Sequence, residues 1–245
     1  MDTLATRYEQ VLERKTQAAQ RAGRNPADIT LVAVTKTWPA ETIMAAYDVG
    51  MRHFGENRAE ELAEKRPFVT PHIAPPDAIT WHLIGPLQSR KTSLAAAHAD
   101  VFHALDRLKI ATRLAQQVGD LQRRLPLFLE VNVSGEMSKS GFAAHNWEKD
   151  ATQQEKLRTI VRTVMEMPHI QLVGLMTMAP WDVPEEEIRA VFRRTRALAG
   201  WLETAVPHLS LPYLSMGMTD DFEIAIAEGA THIRVGRAIF GDRET

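Results

Sequence analysis

Eight times between Ile29 and Gly236 a short apolar run rich in β-branched residues gives way to an amphipathic stretch at helical spacing. The runs are ITLVAVTK, MRHFGEN, AITWHLIG, DVFHALD, LPLFLEVNVS, HIQLVGLMTM, LPYLSMG and THIRVG. Helices are expected between them, the clearest over residues 39–47, 88–98, 150–167 and 185–206, with shorter ones at 58–65, up to 122 and at 220–228. A strand that is apolar along its whole length is covered on both faces, so these strands belong to a parallel sheet wrapped by helices. Eight such units in 245 residues match one (β/α)8 TIM barrel better than an open doubly wound sheet. An extra helix stands before the first unit, with Leu4, Tyr8, Val11, Leu12, Lys15 and Ala19 on its spacing and Gly23 as its stop. It is expected to plug the N-terminal end of the barrel. A Pro-rich loop from Pro67 to Asp77 is an excursion, not a boundary, and no linker divides the chain. Residues 1–245 are read as a single domain.

Composition narrows the function classes. The formal charge of −2 lacks the basic excess of a non-specific nucleic-acid binder. No apolar stretch approaches the length of a membrane span and the N-terminus has no apolar leader core, so a cytoplasmic protein is expected. Cysteine is absent, which removes disulfides, thiolate metal sites and cysteine nucleophiles. The nine histidines are scattered without HxH or HExxH spacing, so no metal site is expected and they are read as surface or hydrogen-bonded residues. Glu185, Glu186 and Glu187 follow Pro184 and suit the first turn of a helix, where acids complement the dipole.

In such a barrel the chemistry comes from the C-terminal ends of the strands. There the chain places Lys36, then Glu56 and Asn57, His82, Asn132 and Ser134, Ser215 and Gly217, and finally Arg234 and Gly236. Lys36 follows Leu31-Val32-Ala33-Val34-Thr35. An amine held among apolar neighbours is biased toward its neutral form, a nucleophile for aldehydes; a lysine ending its strand in solvent is the plain alternative. The loops after strands seven and eight, SMGM and GRAIFG, supply the glycines and N–H groups with which barrels bind phosphate. Together these features point to a phosphorylated aldehyde. Pyridoxal 5′-phosphate (PLP) fits, and so do the sugar phosphates of Schiff-base aldolases. An Arg234 facing a pyridine nitrogen would disfavour its protonation and weaken the cofactor as an electron sink.

The segments AVTKTWP, HFGEN, WHLIGPLQSRK, VNVSGEMSKSGF, GLMTMAP, LSMGMTDDFEIAI and THIRVGRAIFG, in this order, resemble the signature blocks of the YggS/PROSC family of PLP homeostasis proteins. The resemblance spans about Ile29 to Gly241. It implies an alanine-racemase-like barrel of fold type III without the racemases' C-terminal β-domain. It also implies a Schiff base on Lys36, a phosphate site at Ser215, Gly236 and Arg237, Arg234 at the ring nitrogen, and Asn57, His82 and Met216 around the pocket. The function it implies is a monomeric PLP carrier or regulator with apo PLP enzymes as recipients and no robust catalysis. A PLP-dependent amino-acid racemase is the alternative, but that chemistry needs a second acid/base opposite the lysine, and none of Tyr8, Tyr47 and Tyr213 is an obvious candidate. Thr35, Arg58-Ala59-Glu60 and Arg90 depart from the family's usual residues and alter the rim.

Overall fold

The protein is described by a computed structural model covering residues 3–75 and 78–242; Pro76 and Asp77 of the Pro-rich loop lie outside the described residues. Its strands are β1 (Thr30–Val34), β2 (His53–Glu56), β3 (Thr80–Leu83), β4 (Val101–Leu105), β5 (Leu125–Asn132), β6 (Phe142–Ala143), β7 (Ile170–Met176), β8 (Tyr213–Ser215) and β9 (His232–Val235). The helices are α1 (Leu4–Arg21), α2 (Ala40–Asp48), α3 (Ala59–Val69), α4 (Thr92–His98), α5 (Leu108–Asp120), α6 (Ala151–Met165), α7 (Glu185–Ala205), α8 (Phe222–Ala227) and the single turn α9 (Arg237–Phe240).

Eight parallel strands close in the order β1-β2-β3-β4-β5-β7-β8-β9, with β9 returning to β1 and β4 pairing β5 to complete the ring. This is the expected (β/α)8 barrel. The two-residue β6 is an addition: it pairs with the end of β5, Val131 opposite Phe142, and was hidden in a segment with no strand pattern.

Local chemistry explains the layers. In β1 the consecutive residues Val32, Ala33 and Val34 are all buried, as a strand covered on both sides requires. On α5 the buried positions Ile110, Ala111, Leu114, Ala115 and Val118 make one helical stripe facing the sheet. Asp150 starts α6 by accepting from the N–H groups of Thr152 and Gln153 at 2.8 and 3.3 Å. No described helix is long and apolar enough to cross a membrane.

Two expectations need correction. The first helix does not plug the barrel: α1 lies in the outer layer against α8 and α9. Arg7 donates to the Ile239 carbonyl at 2.7 Å, Arg14 to Glu223 at 2.7 Å, and Arg24, just past the helix, to the Ile226 carbonyl at 2.8 Å. It fills the place of the eighth outer helix, which the four residues of α9 cannot cover. The other correction is at α3, expected to stop at Lys65 but continuing through Pro67 to Val69. Proline there forfeits only the bond to the Ala63 carbonyl, a loss confined to the last turn.

Candidate functional site

Lys36 stands two residues beyond β1, in a turn closed by the Trp38 N–H donating to the Thr35 carbonyl at 3.1 Å. Thr37, the next residue of that turn, has φ 70°, a left-handed value that a β-branched residue rarely takes. A buried clamp behind the turn holds it. Thr35 Oγ1 donates to Glu56 Oε1 at 2.6 Å, and Lys65 Nζ, from α3, donates to Glu56 Oε1, Glu61 Oε1 and the Thr35 carbonyl at 2.8, 2.7 and 2.8 Å. Glu61 also accepts the Thr37 N–H. Burial pushes the Glu56 carboxyl up to about 7 against the pull of Lys65 and Thr35. The strain at Thr37 is therefore held by α3, and Lys36 is directed to the other side, into a cavity.

That cavity, about 630 Å³, opens at the C-terminal ends of the strands. Lys36 and Asn57 line it from β1 and β2, Glu130 from β5, Met176 from β7, and Arg234, Gly236 and Arg237 from β9 and its following turn. The loop after β3 reaches it through Gly85, where a Cβ would fall 2.3 Å from the Asn57 carbonyl oxygen. The loop after β8 reaches it through Met218, Thr219 and Asp220. It bends there because Gly217 has φ 94° and no side chain to collide with Ala225, whose Cβ would be 2.6 Å away.

Arg234 is only 5% exposed. It donates through Nη1 to Ser215 Oγ at 2.7 Å and through Nη2 to the Thr177 carbonyl at 3.1 Å. Burial lowers it to about 10, with Asp221 and Glu130 opposing the drop, so it carries its charge at neutral pH. Arg237 pairs with Asp220 and lies 5.7 Å above the Trp181 ring. The first N–H groups of a helical turn have no partner within it, so the Gly236–Arg237 backbone is suited to an anion.

Of the residues named from sequence, Lys36, Asn57, Arg234, Gly236 and Arg237 meet in the cavity. Ser215, His82 and Met216 do not line it. Ser215 is fully buried, its hydroxyl taken up by His103 and Arg234, so it reaches the cavity through Arg234. His82 is buried one layer deeper, between His53 and His103, and Met216 lies in the apolar core.

Thr219 and Glu130 are two cavity residues not singled out from the sequence, as are the apolar Trp38, Met176 and Trp181. Thr219 was in plain view in SMGMT, two positions past the glycine that turns the loop. Glu130 stands in an apolar strand and faces inward. It is 3% exposed, its Oε2 has no hydrogen-bond partner, and burial and nearby Asp106 push it up to about 7 despite Arg234. Round an eight-strand ring β5 is four strands from β1 in either direction, so Glu130 lies across the cavity from Lys36. None of the three tyrosines lines it.

Comparison with known proteins agrees with this architecture. Residues 9–244 match the family model described as alanine racemase, N-terminal domain. The pyridoxal phosphate homeostasis protein of Escherichia coli (strain K12) is 41% identical over 248 residues, covering 100% of this chain and 98% of that protein. The solved structure of PipY from Synechococcus elongatus PCC7942 with PLP bound has 37% identity and a TM-score of 0.78, over 94% of this chain and 100% of PipY. An alanine racemase from Clostridium difficile 630, 13% identical with a TM-score of 0.68, shares the fold over 96% of this chain and 57% of its own length. The chain belongs to the alanine racemase N-terminal domain family, among its pyridoxal phosphate homeostasis proteins.

Proposed function

We propose that the chain binds PLP as a Schiff base on Lys36 and serves PLP homeostasis as a carrier, with apo PLP enzymes as recipients and no robust turnover. The observation that carries this reading is the convergence, in one cavity, of an amine, a buried guanidinium and an anion-suited turn, on strands β1 and β9 that pair directly. These groups fit a phosphorylated pyridine aldehyde. When bound, PLP supplies an aldehyde that condenses with amines and a ring that draws electron density from them.

The chain's own residues set how far that chemistry runs. Lys36 offers the amine, held in place by the clamped turn behind it. The Gly236–Arg237 backbone and Thr219, which line the cavity from the loops after β9 and β8, would hold the phosphate of PLP. Arg234, which lines the cavity, would face the ring nitrogen; because it stays charged at neutral pH, it would donate a hydrogen bond there and oppose protonation of the ring. Ser215 keeps the guanidinium oriented from below.

The test is absorption and mass analysis of the purified chain after PLP is added. Expected are a yellow protein and, after borohydride reduction, a phosphopyridoxyl group on the peptide bearing Lys36; Lys36→Ala loses both. A colourless protein, or a label on another lysine, would overturn the attachment. Mixing loaded protein with an apo PLP enzyme tests the carrier role, which fails if no activity is restored beyond that due to free PLP.

One observation favours a second reading, slow racemase-like chemistry. Glu130 supplies, across the cavity from Lys36, the second titratable group that the tyrosines do not. Exchange of the Cα proton of alanine in D2O by the loaded protein, lost in Glu130→Gln, would support it.

A further inference from the structure

The interior of a (β/α)8 barrel is ordinarily filled by layers of branched aliphatic side chains. Here four of the nine histidines occupy it, and three form an unbroken file. His53 Nδ1 is 3.0 Å from His82 Nε2, His82 Nδ1 is 2.8 Å from His103 Nε2, and His103 Nδ1 is 2.7 Å from Ser215 Oγ. Arg234, which lines the ligand cavity, donates to that same Ser215 oxygen at 2.7 Å. At the far end His53 is half-buried at the start of β2, toward the N-terminal end of the barrel. The ring nitrogens are paired in sequence instead of converging on one point, and among the described residues no group of acids and histidines is placed to hold a metal.

The chemistry of imidazole makes this file directional. A neutral ring has one donor nitrogen and one acceptor nitrogen. Burial holds His82 and His103 well below the ordinary imidazole value and also lowers His53. Neutral rings joined nitrogen to nitrogen must point their N–H bonds all one way or all the other. Arg234 decides which. Its charge attracts the oxygen of Ser215 and turns the hydroxyl hydrogen away, toward His103 Nδ1. His103 then donates through Nε2 to His82, and His82 through Nε2 to His53. In the reverse order Ser215 would accept from both His103 and Arg234, and its hydrogen would have to find a third partner.

The other groups set against the file preserve this order. His232 of β9 packs at 6.3 and 5.9 Å from the His82 and His103 rings and is itself lowered to about 4 by burial. Phe128 stacks on His103 at 4.4 Å. Tyr213 meets His232 edge-on at 5.3 Å. Arg52, next to His53 in the chain, turns its guanidinium over the Tyr47 ring. Glu130 and Asp221 bear on Arg234, whose charged form they favour.

We propose that the His53–His82–His103–Ser215 file is a proton relay coupling the protonation of His53 to the Arg234 wall of the ligand cavity, with His82 and His103 as positioning residues. Uptake of one solvent proton shifts every hydrogen of the file by one place. The Ser215 Oγ–H bond breaks as His103 Nδ1–H forms; His103 Nε2–H passes to His82 Nδ1, and His82 Nε2–H to His53 Nδ1. Arg234 Nη1–H passes to the serine oxygen in the same shift, Arg234 recovers a proton from solvent in the cavity it lines, and the added charge rests on His53. A ligand that draws on Arg234 changes the ease of that shift, and His53 therefore senses the filling of the cavity. That last step rests on the PLP reading above.

The experiment is NMR of the chain labelled with 15N-histidine, without PLP and then with PLP added. In the unloaded chain His82 and His103 are expected as neutral Nε2–H tautomers at pH 7; Nδ1–H forms or a mixture there would overturn the relay whatever the ligand proves to be. On loading, the titration midpoint of His53 is expected to move, and to stop moving when the file is cut by His82→Leu. His82→Gln, which can donate and accept but cannot shift tautomer, serves if the leucine variant does not fold. Each variant is first checked for PLP uptake by absorption. An unmoved midpoint in the loaded wild type, or an equal movement in the cut variants, would overturn the coupling. If PLP does not bind the wild type at all, the ligand reading fails, while the tautomers of the unloaded chain still decide the relay.

Discussion

Glu130 shows how one side chain makes part of this site legible and hides the rest. In LFLEVNVS it reads as a polar interruption of a strand, and only the closed ring turns it toward Lys36. Inward alternation from Phe128 would have pointed to it, because residues two apart share a face of a strand. His103 had no such signal. The pairing of β4 with β5 is irregular between Phe102 and Leu105, and both His103 and Ala104 face inward across it. Lys36, Arg234 and Gly236 were legible because each lies within two residues of the C-terminal end of a strand, in a stretch of distinctive composition. Glu130 carries a pH prediction. Its folded value of about 7 lies above the ordinary 4.5, so folding favours the protonated form. Its contribution to stability is complete below about pH 4.5 and is lost as pH rises through 7. Glu130→Gln, neutral throughout, should match the wild type near pH 4 and exceed it at pH 8 by on the order of 3 kcal/mol. Denaturant melts at the two pH values check this, and a pH-independent difference would count against it.

Among the elements, α3 has the most direct hold on the site. It delivers Lys65, buried, onto the ends of β1 and β2, where one ammonium serves two carboxylates and the Thr35 carbonyl just before Lys36. The helix itself was readable from its spacing, but not its purpose: Lys65 looks like any surface lysine until Glu56 is seen to point outward from the barrel. Removing one partner of a buried pair costs about 3–5 kcal/mol, since the other charge is left uncompensated. Lys65→Met should therefore destabilise by that amount and loosen the Thr35–Trp38 turn. Combining it with Glu56→Gln should recover part of the loss, because the fully buried carboxylate is then neutral while the partly exposed Glu61 still loses its ammonium partner. Thermal melts of the two single variants and the double variant give the coupling directly.

On the scale of the whole molecule, the eight alternations were sufficient to specify the barrel, whereas the placement of α1 depended on contacts more than 200 residues apart. Its buried Val11, Ala18 and Ala19 complete the apolar cover over α8 and α9. The partly exposed Arg14–Glu223 pair adds little by comparison, so Arg14→Ala should cost about 1 kcal/mol or less. Deleting residues 1–21 should instead lower Tm markedly and raise the binding of a hydrophobic dye. A deletion that melted like the full chain would show the helix to be dispensable.

The same arrangement bears on synthesis. Arg7 is translated 232 residues before Ile239, whose carbonyl it grips. At ribosomal speeds of about 5–20 residues per second, that is a wait of roughly 10–50 s. Throughout it the apolar stripe of α1 is without its final cover, and so is open to nascent-chain binding factors. Helix α1 thus cannot complete its docking until the cavity's final wall, the β9 strand and its turn, has been delivered.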